Sequence, residues 1–300
     1  MSTVTATQPE QTATSTAANL AVIILSYNEE LNLDQALRSV CGWAREVFVL
    51  DSFSKDATER IAQAHDCRFV QHAFHDYASQ RNWALENLPI TSDWIMFLDA
   101  DEWPSPELKR SIEQTLTGES EFDGYEINRR FIWMGRWIKH GYYPVWILRV
   151  CRRGKGRYDA REINEHMVVD GPIGRLQGDL MHEDQRSLSF FIDKHNRYSD
   201  AESLELFRAS SHQDGYVKLD PFGSAAERNR WKRYRIYNRF PPLLRPILFF
   251  IYRYIFRLGF LDGLAGFTFH FLHGLWYPML IDMKYLEKKQ ASRNSTRPLQ

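Results

Sequence analysis

Bulky apolar residues recur along this chain in two arrangements. One is the short unbroken run bounded by polar residues, at positions 20–25 (LAVIIL), 46–50 (EVFVL), 68–70 and 94–98 (WIMFL). Continuous apolar runs of this length suit strands buried on both faces. The other is a helical spacing, with Leu31, Ala36, Leu37 and Val40 after the first run. A helix over 56–64 is expected to open on a capping box formed by Asp56 and Glu59, and another over 77–88 follows it. Ser105-Pro106 supplies an N-cap and an N1 proline for the next. Strands alternating with helices predict a parallel sheet covered on both faces, with ligands beyond the carboxyl ends of the strands. The residues there are Ser26-Tyr27-Asn28-Glu29, Asp51-Ser52 and Asp99-Ala100-Asp101. All are expected to face one crevice.

From residue 122 to 150 the pattern changes to strand-like segments rich in aromatic residues, among them Phe131, Trp133, Tyr142 and Trp146. This predicts an antiparallel extension along one side of the cleft. Residues 188–207 read as a helix carrying Lys194, His195 and Tyr198. Residues 1–19 are Ser, Thr, Ala and Gln with almost no bulky apolar side chain, and they are expected to be a disordered tail. They lack the basic start and apolar run of a signal peptide, so the chain is expected to stay inside the cell. The expected divisions are therefore a tail over 1–19, a main domain over 20–210, basic and apolar helices over 211–290, and a flexible end over 291–300.

Composition changes this picture little. At 44% hydrophobic and 25% charged residues, an ordinary globular core is within reach. A formal net charge of +0 offers no general attraction to nucleic acid. The three cysteines, Cys41, Cys67 and Cys151, are odd in number and in no CxxC pattern, which argues against a disulfide framework.

Candidate chemistry concentrates where the fourth apolar run ends in Asp99, Asp101 and Glu102. Charges at the tip of a buried strand call for partners or a metal. Asp99-x-Asp101 is a compact pair of hard oxygen donors of the kind that suits Mg²⁺ or Mn²⁺ bound together with substrate phosphates.

Four stretches in order, Ser26-Tyr27-Asn28-Glu29-Glu30, Asp51-Ser52-Phe53-Ser54-Lys55-Asp56, Gln80-Arg81-Asn82 and Phe97-Leu98-Asp99-Ala100-Asp101-Glu102, resemble the motifs of family-two inverting glycosyltransferases of the GT-A fold. The resemblance spans about residues 20–200. It departs at Phe53 and Ala57, where the family usually has glycine, and this is expected to narrow the turn after the second strand. The implied fold is α/β: a GT-A, Rossmann-like mixed sheet covered by helices, followed by a C-terminal amphipathic helical region that associates with membrane.

The resemblance also implies roles. Tyr27 would pack on the nucleotide base, Asp51 would meet a uracil edge, and Glu29 would add a polar contact. Arg81 would hold the diphosphate, as a guanidinium fork suits phosphate oxygens. Asp99 would lie near the ribose and the metal, with Asp101 the direct metal ligand. The general base is expected to be Glu165, with Glu183 and Asp184 as alternatives. Around these carboxylates, at His182 and over residues 194–198, the chain is similar to enzymes that modify lipopolysaccharide cores. His182 is a candidate third metal ligand, and Lys194 and Arg197 are candidates for an anionic acceptor or a phosphate.

Between Arg228 and Leu261 there is no Asp or Glu, while arginines accumulate among aliphatic and aromatic residues. The arginines interrupt the run too often for a spanning helix, and a helix lying in the membrane interface is expected instead. Residues 264–281 are expected to be interfacial or re-entrant. Together these readings predict a peripheral transferase on the cytoplasmic membrane face. It would take a nucleotide sugar, with UDP as the expected nucleotide, and glycosylate a membrane-anchored glycan or lipid, with no nucleic-acid partner. The alternatives are a polyprenyl-phosphate glycosyltransferase and a membrane-surface scaffold with a degenerate site.

Overall fold

The computed structural model describes residues 18–159, 166–209, 221–222 and 225–295. Strands β1 (Ala18–Ser26), β2 (Ala44–Asp51), β3 (Arg68–Gln71) and β4 (Trp94–Asp99) pair in parallel in the order β3-β2-β1-β4. Helices α1 (Leu33–Val40), α2 (Thr58–Gln63) and α3 (Tyr77–Asn87) form the crossovers. Strand β1 shows why the sheet is covered on both sides. Leu20, Val22 and Ile24 pack with Leu37 of α1 and with Leu108 and Ile112 of α4 (Pro106–Leu116), whereas Ala21 and Ile23 pack with Ala78 and Ala84 of α3. Each of these aliphatic side chains is fully buried, which stabilises by about 1.5–3 kcal/mol for a Leu, Ile or Val.

The sheet then turns antiparallel. After β5 (Glu102–Pro104) come β6 (Gly124–Trp133), β7 (Arg136–Trp137), β8 (Trp146–Arg152), β9 (Gly156–Tyr158), β10 (Met167–Val169) and β11 (Ile173–His182). Strand β8 lies antiparallel to both β4 and β6, β11 runs parallel to β6, and β5 closes the edge. The aromatic segment over 122–150 thus forms the extension its pattern predicted.

Several local expectations change. The first strand begins at Ala18, inside the predicted tail, and Asn19 donates to Asp93 at 2.6 Å. Residues 1–17 lie outside the described residues. Helix α2 lacks the capping box expected of Asp56 and Glu59: its N-cap is Ala57, with no side-chain bond. Asp56 instead accepts from the Thr58 backbone at 3.0 Å and from the Glu30 backbone at 3.1 Å, tying the helix start to the turn after β1. The reciprocal box sits on α3, between Asp76 and Ser79. Ser105 does cap α4, accepting from Leu108 N at 3.2 Å.

Beyond β11 the chain is helical: α5 (Leu188–Ala209), α6 (Ala225–Arg235), α7 (Leu244–Ile251), α8 (Gly263–Phe269) and α9 (Tyr277–Ser295). A π-helical turn, Tyr252–Phe256, follows α7, and a π-helical stretch, His270–Trp276, joins α8 to α9. Helix α9 packs along α5, with Lys284 Nζ 2.7 Å from Asp200 and Lys288 Nζ donating to Ser203 at 3.0 Å. Ala265 and Phe269 join Ile138, Phe131, Trp133 and Tyr142 in a separate small core. The C-terminal helices are thus built onto the main sheet.

Two arginines counted toward a lipid-facing basic cluster point inward. Arg245 Nε donates to both carboxylate oxygens of Asp282 at 2.9 Å, and Arg253 is buried under aromatic rings. The apolar side chains around them do face outward, Phe256 being 74% and Leu264 71% exposed. Among the described residues no helix is long and apolar enough to cross a membrane.

Candidate active site

Parallel register brings the chemistry together. Ser26 pairs with Asp51 across β1 and β2, and Leu25 pairs with Asp99 across β1 and β4, so the three strand ends stand abreast. Over them opens a cleft of about 1420 Å³. Tyr27, Glu29, Arg81, Asp99, Asp101, His182, Asp184, Lys194 and Arg197 all line it. Asp51 and Glu183 do not. Glu165 lies outside the described residues.

Asp51 is fully buried beneath the cleft. It accepts from the Ser26 hydroxyl at 3.1 Å, the Ser54 backbone at 2.8 Å and Gln71 at 3.2 Å, and also from the Ser54 hydroxyl. Its carboxylate therefore orders the turn after β2. In that turn Phe53 adopts φ 60°, a conformation that suits the glycine usual there, and it lies on the cleft wall. Asn28 has φ 53° and accepts from the Lys55 backbone at 2.8 Å, locking the two turns together. Tyr27 stands 57% exposed, leaving its ring face free.

The acidic tip of β4 is held by buried cations. Arg81 Nη2 lies 2.8 Å from Asp99 Oδ1, and Arg149 Nη2 lies 2.6 Å from Asp99 Oδ2 and 3.2 Å from Glu102 Oε1. Burial pushes the Asp99 carboxyl up, but the Arg149 and Arg81 guanidiniums outweigh it and hold the group well below the usual carboxylate range. Glu102 is completely buried and accepts from the Asp99 backbone at 3.1 Å. There burial dominates over Arg149 and raises its pKa. Asp101 meets His182, whose Nε2 lies 3.3 Å from Asp101 Oδ2, and this contact overcomes burial to lower the Asp101 pKa.

A second network lies beside the first. Arg186 Nη1 donates to Glu29 at 2.9 Å, and Arg186 Nε and Nη2 each donate to Asp184 at 2.7 Å. Asn32 donates to Glu29 at 2.8 Å and to Asp184 at 3.3 Å, joining α1 to the segment after β11. Burial pushes Glu29 up to about 7 despite Arg186, while the bonds from Arg186 outweigh burial and lower Asp184.

Sequence reasoning missed Arg149, Arg186 and Asn32. Arg149 carried a signal: a charge inside the apolar stretch Trp146-Ile147-Leu148-Arg149-Val150 is the same anomaly as the carboxylates after β4. Arg186 had none beyond its nearness to Asp184.

Among the described residues no group of three or more His, Cys, Asp or Glu side chains is arranged to hold a metal. Asp101 and His182 remain a two-donor pair beside Asp99. His182 Nδ1 is buried without a hydrogen-bond partner.

Residues 21–163 match the model of the family described as glycosyl transferase family 2. The lipopolysaccharide core biosynthesis glycosyltransferase LpsC of Rhizobium meliloti is 31% identical over 192 residues, covering 60% of this chain and 68% of that protein. The chain belongs to glycosyltransferase family 2. Another relative, an uncharacterised glycosyltransferase of Rickettsia conorii, is 32% identical over 63% of this chain and 71% of its own length. Among solved structures, the family-2 chain is similar to glucosyl-3-phosphoglycerate synthase from Mycobacterium tuberculosis in complex with Mn²⁺, UDP and phosphoglyceric acid. There the TM-score is 0.30 and the identity 23%, over 39% of this chain and 43% of that one.

Proposed function

We propose that this glycosyltransferase moves a sugar, with inversion, from a UDP-sugar to a membrane-anchored glycan or lipid in cell-envelope polysaccharide or lipopolysaccharide synthesis. The observation that carries this reading is the Asp99-x-Asp101 pair at the strand tips, set in a cleft that Arg81 and Arg149 also line. The likeness to a lipopolysaccharide core biosynthesis glycosyltransferase of Rhizobium meliloti supports the acceptor class. Tyr27 offers its exposed ring to the base, and Glu29 the polar contact beside it. Asp51 acts from below, by fixing the turn that shapes the base pocket.

Asp101 and His182 would hold a hard divalent ion, Mg²⁺ or Mn²⁺, a pair of protein donors being enough because such ions keep much of their coordination for substrate oxygens and water. When bound, the ion supplies charge neutralisation at the departing oxygen. The protein's own groups do the rest. Arg81 and Arg149, held in place by Asp99, offer guanidinium donors on the cleft wall where the diphosphate leaves. The acceptor hydroxyl oxygen forms its bond to the anomeric carbon on the face opposite the diphosphate. The carbon–oxygen bond to the diphosphate breaks with its electron pair, and the hydroxyl proton passes to a carboxylate.

Among the described residues that base is assigned to Asp184, which lines the cleft and is kept ionised by Arg186. A positioned base contributes about 10²–10⁴-fold. The exposed apolar surface around Phe256 and Leu264 seats the enzyme on the membrane, on the side where nucleotide sugars are made.

The test incubates purified protein with cell membranes, Mn²⁺ or Mg²⁺ and a panel of nucleotide sugars, and measures nucleoside diphosphate release. One donor is expected to turn over, with Asp101→Ala abolishing release and Asp184→Ala lowering it at least 10²-fold. Release that survives Asp184→Ala but is lost in Glu165→Ala would move the base to Glu165. Indifference to chelator and to Asp101→Ala would sink the metal-dependent reading.

A further inference from the structure

The C-terminal helices contribute one wall of the cleft, through His273 and Tyr277. Behind His273 stands Arg253, only 4% exposed. Its Nε donates to the Gly141 carbonyl at 3.0 Å, and Nη1 lies 3.2 Å from His273 Nδ1. The Tyr142 and Phe269 rings lie 5.0 and 5.5 Å from its guanidinium carbon. Nη2 has no partner, and among the described residues no carboxylate pairs with Arg253 or His273. Burying a guanidinium without a counter-ion is costly, so this one calls for an anion.

The neighbouring groups are mostly donors, and Glu202, a carboxylate on the same wall, already accepts from Tyr277 at 2.7 Å and from Arg233 at 2.9 Å. Because Arg253 can only donate, His273 Nδ1 accepts, and the ring's hydrogen stays on Nε2, for which the described residues supply no partner. Arg129 donates to the Tyr142 hydroxyl at 3.0 Å and has only a long ion pair to Glu102, at 3.8 Å, while its Nε is left unpaired. Lys194 and Arg197 line the same cleft without an ion pair or hydrogen bond among the described residues. A sugar hydroxyl needs acceptors as well as donors, whereas an oxyanion is satisfied by donors alone. The cations that face Asp99, in contrast, are already matched by carboxylates.

We propose that this wall is an anion subsite for the acceptor: Arg129, Lys194 and His273 take a phosphate or carboxylate carried by the acceptor glycan, and Arg253 is the positioning residue that fixes the His273 ring. This deepens the transferase reading and rests on it for the word acceptor. Selection of an anionic acceptor follows, since an uncharged sugar leaves these donors without a matching charge.

The experiment uses the full chain saturated with UDP and Mg²⁺, so that the donor side is occupied. Inorganic phosphate, and separately acetate, is titrated by calorimetry into the wild type, Lys194→Gln and His273→Leu, with circular dichroism and melting confirming that each variant folds. Either substitution is expected to weaken binding of the preferred anion about tenfold, and to raise the KM for acceptor membranes about tenfold with the donor KM within about twofold. His273→Gln, which retains an acceptor for Arg253 and a donor toward the cleft, is expected to recover most of the affinity. Stronger binding of phosphate than acetate identifies a phosphorylated acceptor, and the reverse a carboxylated one.

Anion binding and acceptor KM that are unchanged in both folded variants would overturn the proposal. So would displacement of bound phosphate by phosphatidylglycerol vesicles but not by phosphatidylcholine vesicles, which would make the anion a lipid headgroup. If no nucleotide sugar turns over but phosphate binding still depends on Lys194 and His273, the anion subsite stands and the transferase reading fails.

Discussion

At the scale of single residues, the site is a balance of buried charges, and the balance has measurable consequences. Arg149 is shared between Asp99 and Glu102. Arg149→Met strips both of their closest common cation and leaves Glu102 with Arg129 at 3.8 Å. Removing one partner from a buried pair costs about 3–5 kcal/mol. A fall of that size at neutral pH is expected in urea unfolding.

Glu29 gives a pH signature of defined sign. Its folded pKa of about 7 lies above the ordinary 4.5, so the folded state holds the proton more tightly. The stability from this group is complete below about pH 4.5 and is lost as pH rises through 7, by about 3 kcal/mol over that window. In chelated protein, the difference in stability between wild type and Glu29→Gln is expected to change by that amount between pH 4.5 and 8. A flat difference would contradict the burial of this carboxyl. Which carboxylates were chemically interesting was legible in the residue types at the strand ends. Their partners were not, because Arg149 and Arg186 lie about 50 and 85 residues further along the chain than Asp101, and only the folded sheet sets them side by side.

At the scale of elements, the edge of the sheet depends on a glycine. The pairing of β11 with β6 shifts register between Arg175 and Asp179, and Gly178 within that shift has φ 86°. A Cβ there would fall against the backbone of Leu108, in the first turn of α4. Ser105 fastens the same junction, accepting from Asp179 N at 3.2 Å. Gly178→Ala combines a left-handed backbone with a clash against main chain, and a loss of about 3 kcal/mol or more in unfolding free energy is expected. A variant as stable as the wild type would show that the junction yields.

Strands β1 to β4 were readable because an apolar run needs no distant information to declare itself. The caps were less so. Asp56-x-x-Glu59 has the letters of a capping box, but Asp56 is drawn to the Glu30 backbone. Asp76 and Ser79 form the box that was not anticipated.

At the scale of the molecule, the C-terminal helices have two faces. One closes the cleft through His273 and Tyr277; the other shows Ile255, Phe256 and Leu264 to the outside. Because α9 packs on α5, truncating this region would damage the site as well as any anchor. Substitutions on the outer face separate the two roles. Replacing Ile255, Phe256 and Leu264 together by serine is expected to reduce flotation with anionic liposomes at least tenfold, since burying each such side chain contributes about 1.5–3 kcal/mol. Nucleoside diphosphate release is expected to persist. Undiminished flotation would refute this face as the membrane contact.

The sequence by itself determined the alternating core, the order of the motifs and the acidic tip of β4, because these follow from local apolar spacing and from the chemistry of adjacent residues. Only the tertiary structure decided that Arg149 and Arg81 neutralise Asp99, that Asp51 lies under the cleft, and that Arg245 and Arg253 turn inward from a helical region that read as lipid-facing. The physical reason is that a charge settles where its partner is, and that partner comes from a distant part of the chain which local pattern does not encode.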